Sequence, residues 1–142
     1  MNGDTRLKLT VETQPHPDDD AVVRDGLASF NAVYLGEKVH HVSVFLRDEN
    51  NQIVGGALVY VHSDSIFIDT LWVQESRRNQ GYGAKLLIAA ETEGRARSCR
   101  YSTLDTFDFQ AEGLYRKHGY ERIGVIDDCL LGHPRIFMRK TL

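Results

Sequence analysis

Cysteine is scarce: Cys99 and Cys129 are the two in 142 residues, and neither has a neighbour at ligand spacing. A zinc or other metal site is therefore not expected. Two reduced thiols in a cytoplasmic protein is the plain reading. No apolar run approaches 18 residues, so no membrane span and no membrane partner are expected. Met1-Asn2-Gly3-Asp4-Thr5 lacks a charged segment followed by an apolar one, so no signal peptide is expected. Basic excess is also missing. The net charge is −3 and no basic-aromatic stripe appears, which argues against a nucleic-acid partner. Repeats, low-complexity tracts and linkers are absent as well. With 42% hydrophobic and 26% charged residues, the chain reads as one globular domain over 1–142, large enough for its own core.

Two familiar phosphate-binding loops are missing too. A Walker A loop needs glycine before its lysine and Ser/Thr after it; Lys85 follows Ala84 and precedes Leu86. A dinucleotide fingerprint needs a third glycine where Leu86 stands. What is present is Arg78-Asn79-Gln80-Gly81-Tyr82-Gly83. It follows an apolar strand pattern, Ile66 to Val73, and precedes the helix-forming run from Ala84 to Glu91. A glycine-rich turn between strand and helix is an anion-binding device. The first-turn N–H groups have no intrahelical partner, the macrodipole adds partial positive charge, and glycine admits a diphosphate close to the backbone.

Arg78, Gly81 and Gly83 fit the pattern Arg/Gln-x-x-Gly-x-Gly/Ala, in which Ala84 opens the helix. A second block, Ala111-x-x-x-Tyr115-x-x-x-Gly119-Tyr120, lies with its tyrosine 32 residues after Gly83, room for a helix, a strand and a turn. With these two blocks the chain resembles the GNAT superfamily of acyl-coenzyme A-dependent N-acetyltransferases. The resemblance is strongest over 66–120. It implies an α/β fold of α+β type: a GNAT-like three-layer arrangement with a mixed central sheet of about seven strands flanked by helices. The elements read along the chain agree, in the order β-α-β-β-β-α-β-α-β-β.

Leu7 to Val11 alternates and reads as the first strand. Pro15, Pro17 and Asp18-Asp19-Asp20 start a helix that runs to Leu35 and ends at Gly36. Val39–Arg47 and Ile53–His62 read as a hairpin, with Gly55-Gly56 marking a bulge or a close approach. A helix reaches about Arg97, with Leu87, Ala90 and Gly94 on its packing face. Tyr101–Asp105 is a strand. Asp108 is expected to cap a helix from about Phe109 to His118. Tyr120–Ile126 and Ile136–Arg139 form the last strand pair, joined by a loop.

The resemblance implies acetyl transfer from acetyl-coenzyme A, as co-substrate, to a primary amine of a small molecule or peptide by direct attack. Acetyl-coenzyme A would lie against Leu71, Trp72 and Val73 through their backbone, and against Arg78, Asn79, Gln80, Gly81, Tyr82, Gly83 and Ala84. In the family a bulge at the end of this strand splays it from the next and frees N–H and C=O groups for the acetyl carbonyl and the pantetheine arm. Tyr115 takes the position of the acid that protonates the leaving thiolate. Asp69 interrupts an apolar strand, where a carboxylate is costly unless partnered or functional, and is the candidate base. Many relatives carry Asn where Asp108 stands, so a coenzyme contact there is not implied. His40, His41, His62, His118 and His133 read as surface or packing residues, with His62 and His40-His41 nearest the acceptor side. Residues 1–76 hold 5 Lys/Arg against 12 Asp/Glu, while 77–100 hold 6 against 2. That asymmetry suits a cationic amine in one place and an anionic coenzyme in another. The rival reading is a coenzyme A-binding regulatory module without catalysis. A homodimer is the assembly expected.

Overall fold

The computed structural model describes residues 6–142. Pro17–Leu35 forms helix α1. The His16 ring accepts a hydrogen bond from the Asp18 N–H, proline sits in the first turn, and Asp18, Asp19 and Asp20 meet the positive end of the dipole. Gly36 ends the helix at φ 82°, a left-handed conformation that glycine adopts without penalty, and its N–H bonds the Ala32 carbonyl. The strands are β1 (His40–Arg47), β2 (Ile53–His62), β3 (Ser65–Val73), β4 (Tyr101–Phe107), β5 (Glu121–Leu130) and β6 (His133–Thr141). Helix α2 is Tyr82–Ala96, preceded by a 3-10 turn at Glu75–Arg77, and α3 is Glu112–Lys117.

The six strands make one sheet in the order β1-β2-β3-β4-β6-β5. Only β3 and β4 run parallel, and α2 is the crossover between them. The core lies where α2 covers one sheet face: Ala57, Val59 and Val61 of β2, Ile66 and Ile68 of β3, and Leu86, Leu87 and Ala90 of α2. A Cβ at Gly94 would stand 3.2 Å from Ile66 and Leu142, so this glycine sets how closely α2 approaches the sheet. Gly55 and Gly56 mark the close approach expected of them, because a Cβ on either would lie 3.0 Å from a neighbouring strand's carbonyl oxygen.

Four expectations change. Leu7–Val11 is not a strand: it pairs with none of the described residues, and Leu7, Leu9 and Val11 are all exposed, so the described residues form a sheet of six strands rather than about seven. Alternation alone does not make a strand without a ladder to join. Asp108 does not cap a helix. It hydrogen-bonds the His133 ring at 2.8 Å, and α3 starts only after Ala111. The cap is lost because Gln110 takes over the turn, accepting from the Phe107 N–H and the Thr106 hydroxyl. The loop expected between Ile126 and Ile136 shrinks to Leu131-Gly132, both left-handed, because Leu130 pairs with His133. His62 and His41 cluster with Tyr60, and His62 pairs with Ser65, at the end of β3 remote from Val73.

Candidate active site

Asp69 sits at a bulge. Thr70 pairs with Leu58 and Ile68 with Val59, leaving Asp69 as the extra residue on β3. The pairing of β3 with β4 also stops here, at Ile68 with Leu104. Beyond this point the two strands part, and β3 runs on to Val73 with its far edge open. The Gln74 N–H donates to Val54 of β2, so strand alternation turns Trp72 towards β2 and turns the N–H and C=O groups of Leu71 and Val73 towards the opening. The Val73 carbonyl accepts from Arg78 Nε at 2.9 Å. Arg78 thereby ties the glycine turn to the end of the strand.

The turn itself is built from left-handed backbone at Asn79 (φ 60°) and Gly81 (φ 84°). No side chain caps α2, and the first intrahelical bond closes from Lys85 N–H to Gly81 C=O. The N–H groups of Tyr82, Gly83 and Ala84 are left for another acceptor. Gly83 faces α3: a Cβ there would meet Leu114 at 3.3 Å.

Bulge, splayed strand, helix start and α3 enclose one cavity of about 920 Å³. Asp69, Leu71, Trp72, Val73, Arg78, Asn79, Gly81, Tyr82, Gly83, Ala84 and Tyr115 all line it. Of the residues singled out from the sequence, Gln80 does not; its side chain turns back to the Ser76 carbonyl. Arg77, Arg78 and Lys117 put positive charge on the cavity wall.

Tyr115 is 7% exposed, yet its hydroxyl has no hydrogen-bond partner among the described residues and the ring borders the cavity. Burial, with the Asp105 carboxylate adding to it, pushes the phenol up to about 12. It therefore stays protonated at neutral pH and has a proton to donate. Asp69 is exposed rather than buried, and it accepts from the Thr70 hydroxyl at 3.2 Å. The desolvation argument for it falls away, because the bulge swings it out of the packed layer. What remains is its place on the cavity wall.

Several supporting residues were not legible in the sequence. Asp105 lines the cavity and is held by Arg135 Nε at 3.0 Å. His118 lines it too, its Nδ1 hydrogen-bonded to the Leu114 carbonyl. Behind the cavity Glu91, 2% exposed, accepts from the Tyr120 hydroxyl at 2.9 Å and from Lys140 Nζ at 2.8 Å. Tyr120 also shares a 2.7 Å bond with Ser102 and packs edge-on against the Tyr115 ring. The network pins α2, β4 and β6 to the segment that carries Tyr115. At the start of α3, Glu112 binds both Arg116 and Arg122, and the bonds from Arg122 hold its carboxyl below the usual range. No local pattern announces the pairs of Glu91 with Tyr120 and Lys140, of Asp105 with Arg135 or of Glu112 with Arg122, because each joins two different elements.

The chain is 28% identical over 122 residues to Acetyltransferase Atu2258 of Agrobacterium fabrum, covering 85% of this chain and 89% of that protein. It is 35% identical over 81 residues to a Blasticidin-S acetyltransferase of Streptomyces morookaense, covering 56% of this chain and 60% of that one. A 1.9 Å crystal structure of an acetyltransferase from Bacillus cereus ATCC 14579 superposes with a TM-score of 0.77 and 31% identity, over 94% of this chain and 98% of that one. The model of the Acetyltransferase (GNAT) family matches residues 7–120, and the chain belongs to that family of acyltransferase enzymes.

Proposed function

We propose that the chain moves an acetyl group from acetyl-coenzyme A to a primary amine by direct attack. The observation that carries this reading is the shared cavity. An uncapped helix start, an open strand edge and a buried, protonated phenol all face it. The N–H groups of Tyr82, Gly83 and Ala84 suit a diphosphate, with Arg77, Arg78 and Lys117 around them. The Leu71 and Val73 edge suits the pantetheine amides, and one of its N–H groups would polarise the acetyl carbonyl. As the amine nitrogen bonds the carbonyl carbon and the C–S bond breaks, Tyr115 supplies the proton to the leaving thiolate. The proton lost by the amine leaves through Asp69 or water. A small-molecule amine is the acceptor class best supported, since one relative is named for acetylating blasticidin S and Asp69 lies on the wall of a cavity open to solvent.

Thiol release from acetyl-coenzyme A across aminoglycosides, polyamines, amino acids, peptides and blasticidin S tests this. Turnover with at least one amine is expected. Coenzyme A binding by calorimetry with no thiol release from any of them would instead leave a binding module without catalysis.

A further inference from the structure

Helix α1 carries a stripe that nothing among the described residues covers. Val23, Leu27, Phe30 and Tyr34 recur at helical spacing, are each 61–76% exposed, and include a Phe30–Tyr34 ring contact. No residue of α1 is buried. A second apolar surface is open on the same chain. Val42 and Val44 turn towards the core, so Phe45 points to the opposite face of β1. Register places Phe45, Gly56 and Trp72 in one row across three strands, with Leu58 two residues on from Gly56. Phe45, Leu58 and Trp72 are 40–48% exposed. Beside them, among the described residues, β1 pairs only with β2 and its other edge is open, while the alternating segment Leu7–Val11 joins no ladder.

We propose that residues 7–35 of one copy cover the outer face and free edge of β1 and β2 in a second copy, forming a symmetric exchanged dimer. The charges match. Helix α1 holds four aspartates against one arginine, whereas β1 and β2 hold no acidic residue and carry Arg47. The size matches as well. Helix α1 has 19 residues. A helix of that length is about 28 Å long; laying a third of its surface on a sheet, twice over by symmetry, removes on the order of 1,500 Å² from water, as a stable interface does. Exchange is the arrangement that buries both apolar surfaces of each chain while α1 stays clear of its own sheet. Edge and face are covered together, so one event removes both the unpaired ladder and the apolar patch.

Analytical ultracentrifugation of the full chain should show twice the chain mass. Phe30→Asp on the helix and Phe45→Asp on the sheet should each raise the dimer dissociation constant by about a hundredfold or more, since symmetry places each charge twice in the interface. Both positions are exposed in the single chain, so circular dichroism should stay unchanged. Ile123→Asp on β5 should leave the mass unchanged. Isotope-filtered NMR on a mixture of labelled and unlabelled chains should find Phe30 in contact with the β1–β2 face across copies. A monomeric wild type, a dimer insensitive to both helix and sheet variants, or contacts arising only within one chain would each overturn the proposal.

Discussion

Tyr115 concentrates the chemistry of the proposed reaction in one hydroxyl. Tyr115→Phe keeps the ring that packs on Tyr120 and removes only the hydroxyl. Steady-state kinetics should show turnover reduced by roughly 10²–10⁴ with coenzyme affinity unchanged. Turnover at the wild-type rate would make Tyr115 a packing residue. The phenol's high value also sets a pH signature. An exposed tyrosine in the unfolded chain ionises near 10, while the folded one is pushed up to about 12. The unfolded chain therefore loses its proton first. This stabilisation is intact below about pH 10 and is lost as pH rises towards the folded value. Urea unfolding from neutral to strongly alkaline pH should show wild type losing stability more steeply than Tyr115→Phe above about pH 10. Asp69, exposed at its bulge, answers to a different readout: Asp69→Asn should lower turnover more than it lowers coenzyme affinity, and equal loss in both would assign it to binding.

Among the elements, the start of α2 bears the main burden. Gly81 has open space where a Cβ would stand but a φ of 84°, so valine there is strained by about 1–2 kcal/mol and would also face the bound diphosphate. Gly83→Val adds a collision with Leu114. Both should weaken acetyl-coenzyme A strongly in calorimetry, and Arg78→Ala less, because Arg78 braces the strand end through the Val73 carbonyl. Unchanged affinity in folded glycine variants would remove the coenzyme from this turn. Much of this element was readable in advance, since Gly81, Gly83 and Arg78 are neighbours in sequence and their turn is local. The bulge was not. It depends on how Leu58 and Val59 of β2 face β3, a pairing no window of residues contains. The same limit hid Glu91, whose partners Tyr120 and Lys140 lie 29 and 49 residues away. The alternation at Leu7–Val11 misled for the converse reason: a local pattern was complete, but the segment pairs with no strand of the described sheet.

Across the whole molecule, charge is divided. The acidic first half and the basic stretch around α2 would draw a cationic acceptor and an anionic coenzyme to different sides of one cavity. The acceptor's apparent affinity should therefore fall with added salt, and the rate should rise with pH as the amine deprotonates. A best acceptor that is neutral or anionic, with no salt effect, would contradict the electrostatic account and leave the family assignment standing. The central claim is where the coenzyme lies. Titrating coenzyme A into isotope-labelled protein and following backbone amide shifts tests it most directly. The account predicts the largest changes at Tyr82, Gly83 and Ala84, with Leu71 and Val73 next. Saturable binding that leaves those five amides unmoved would contradict it.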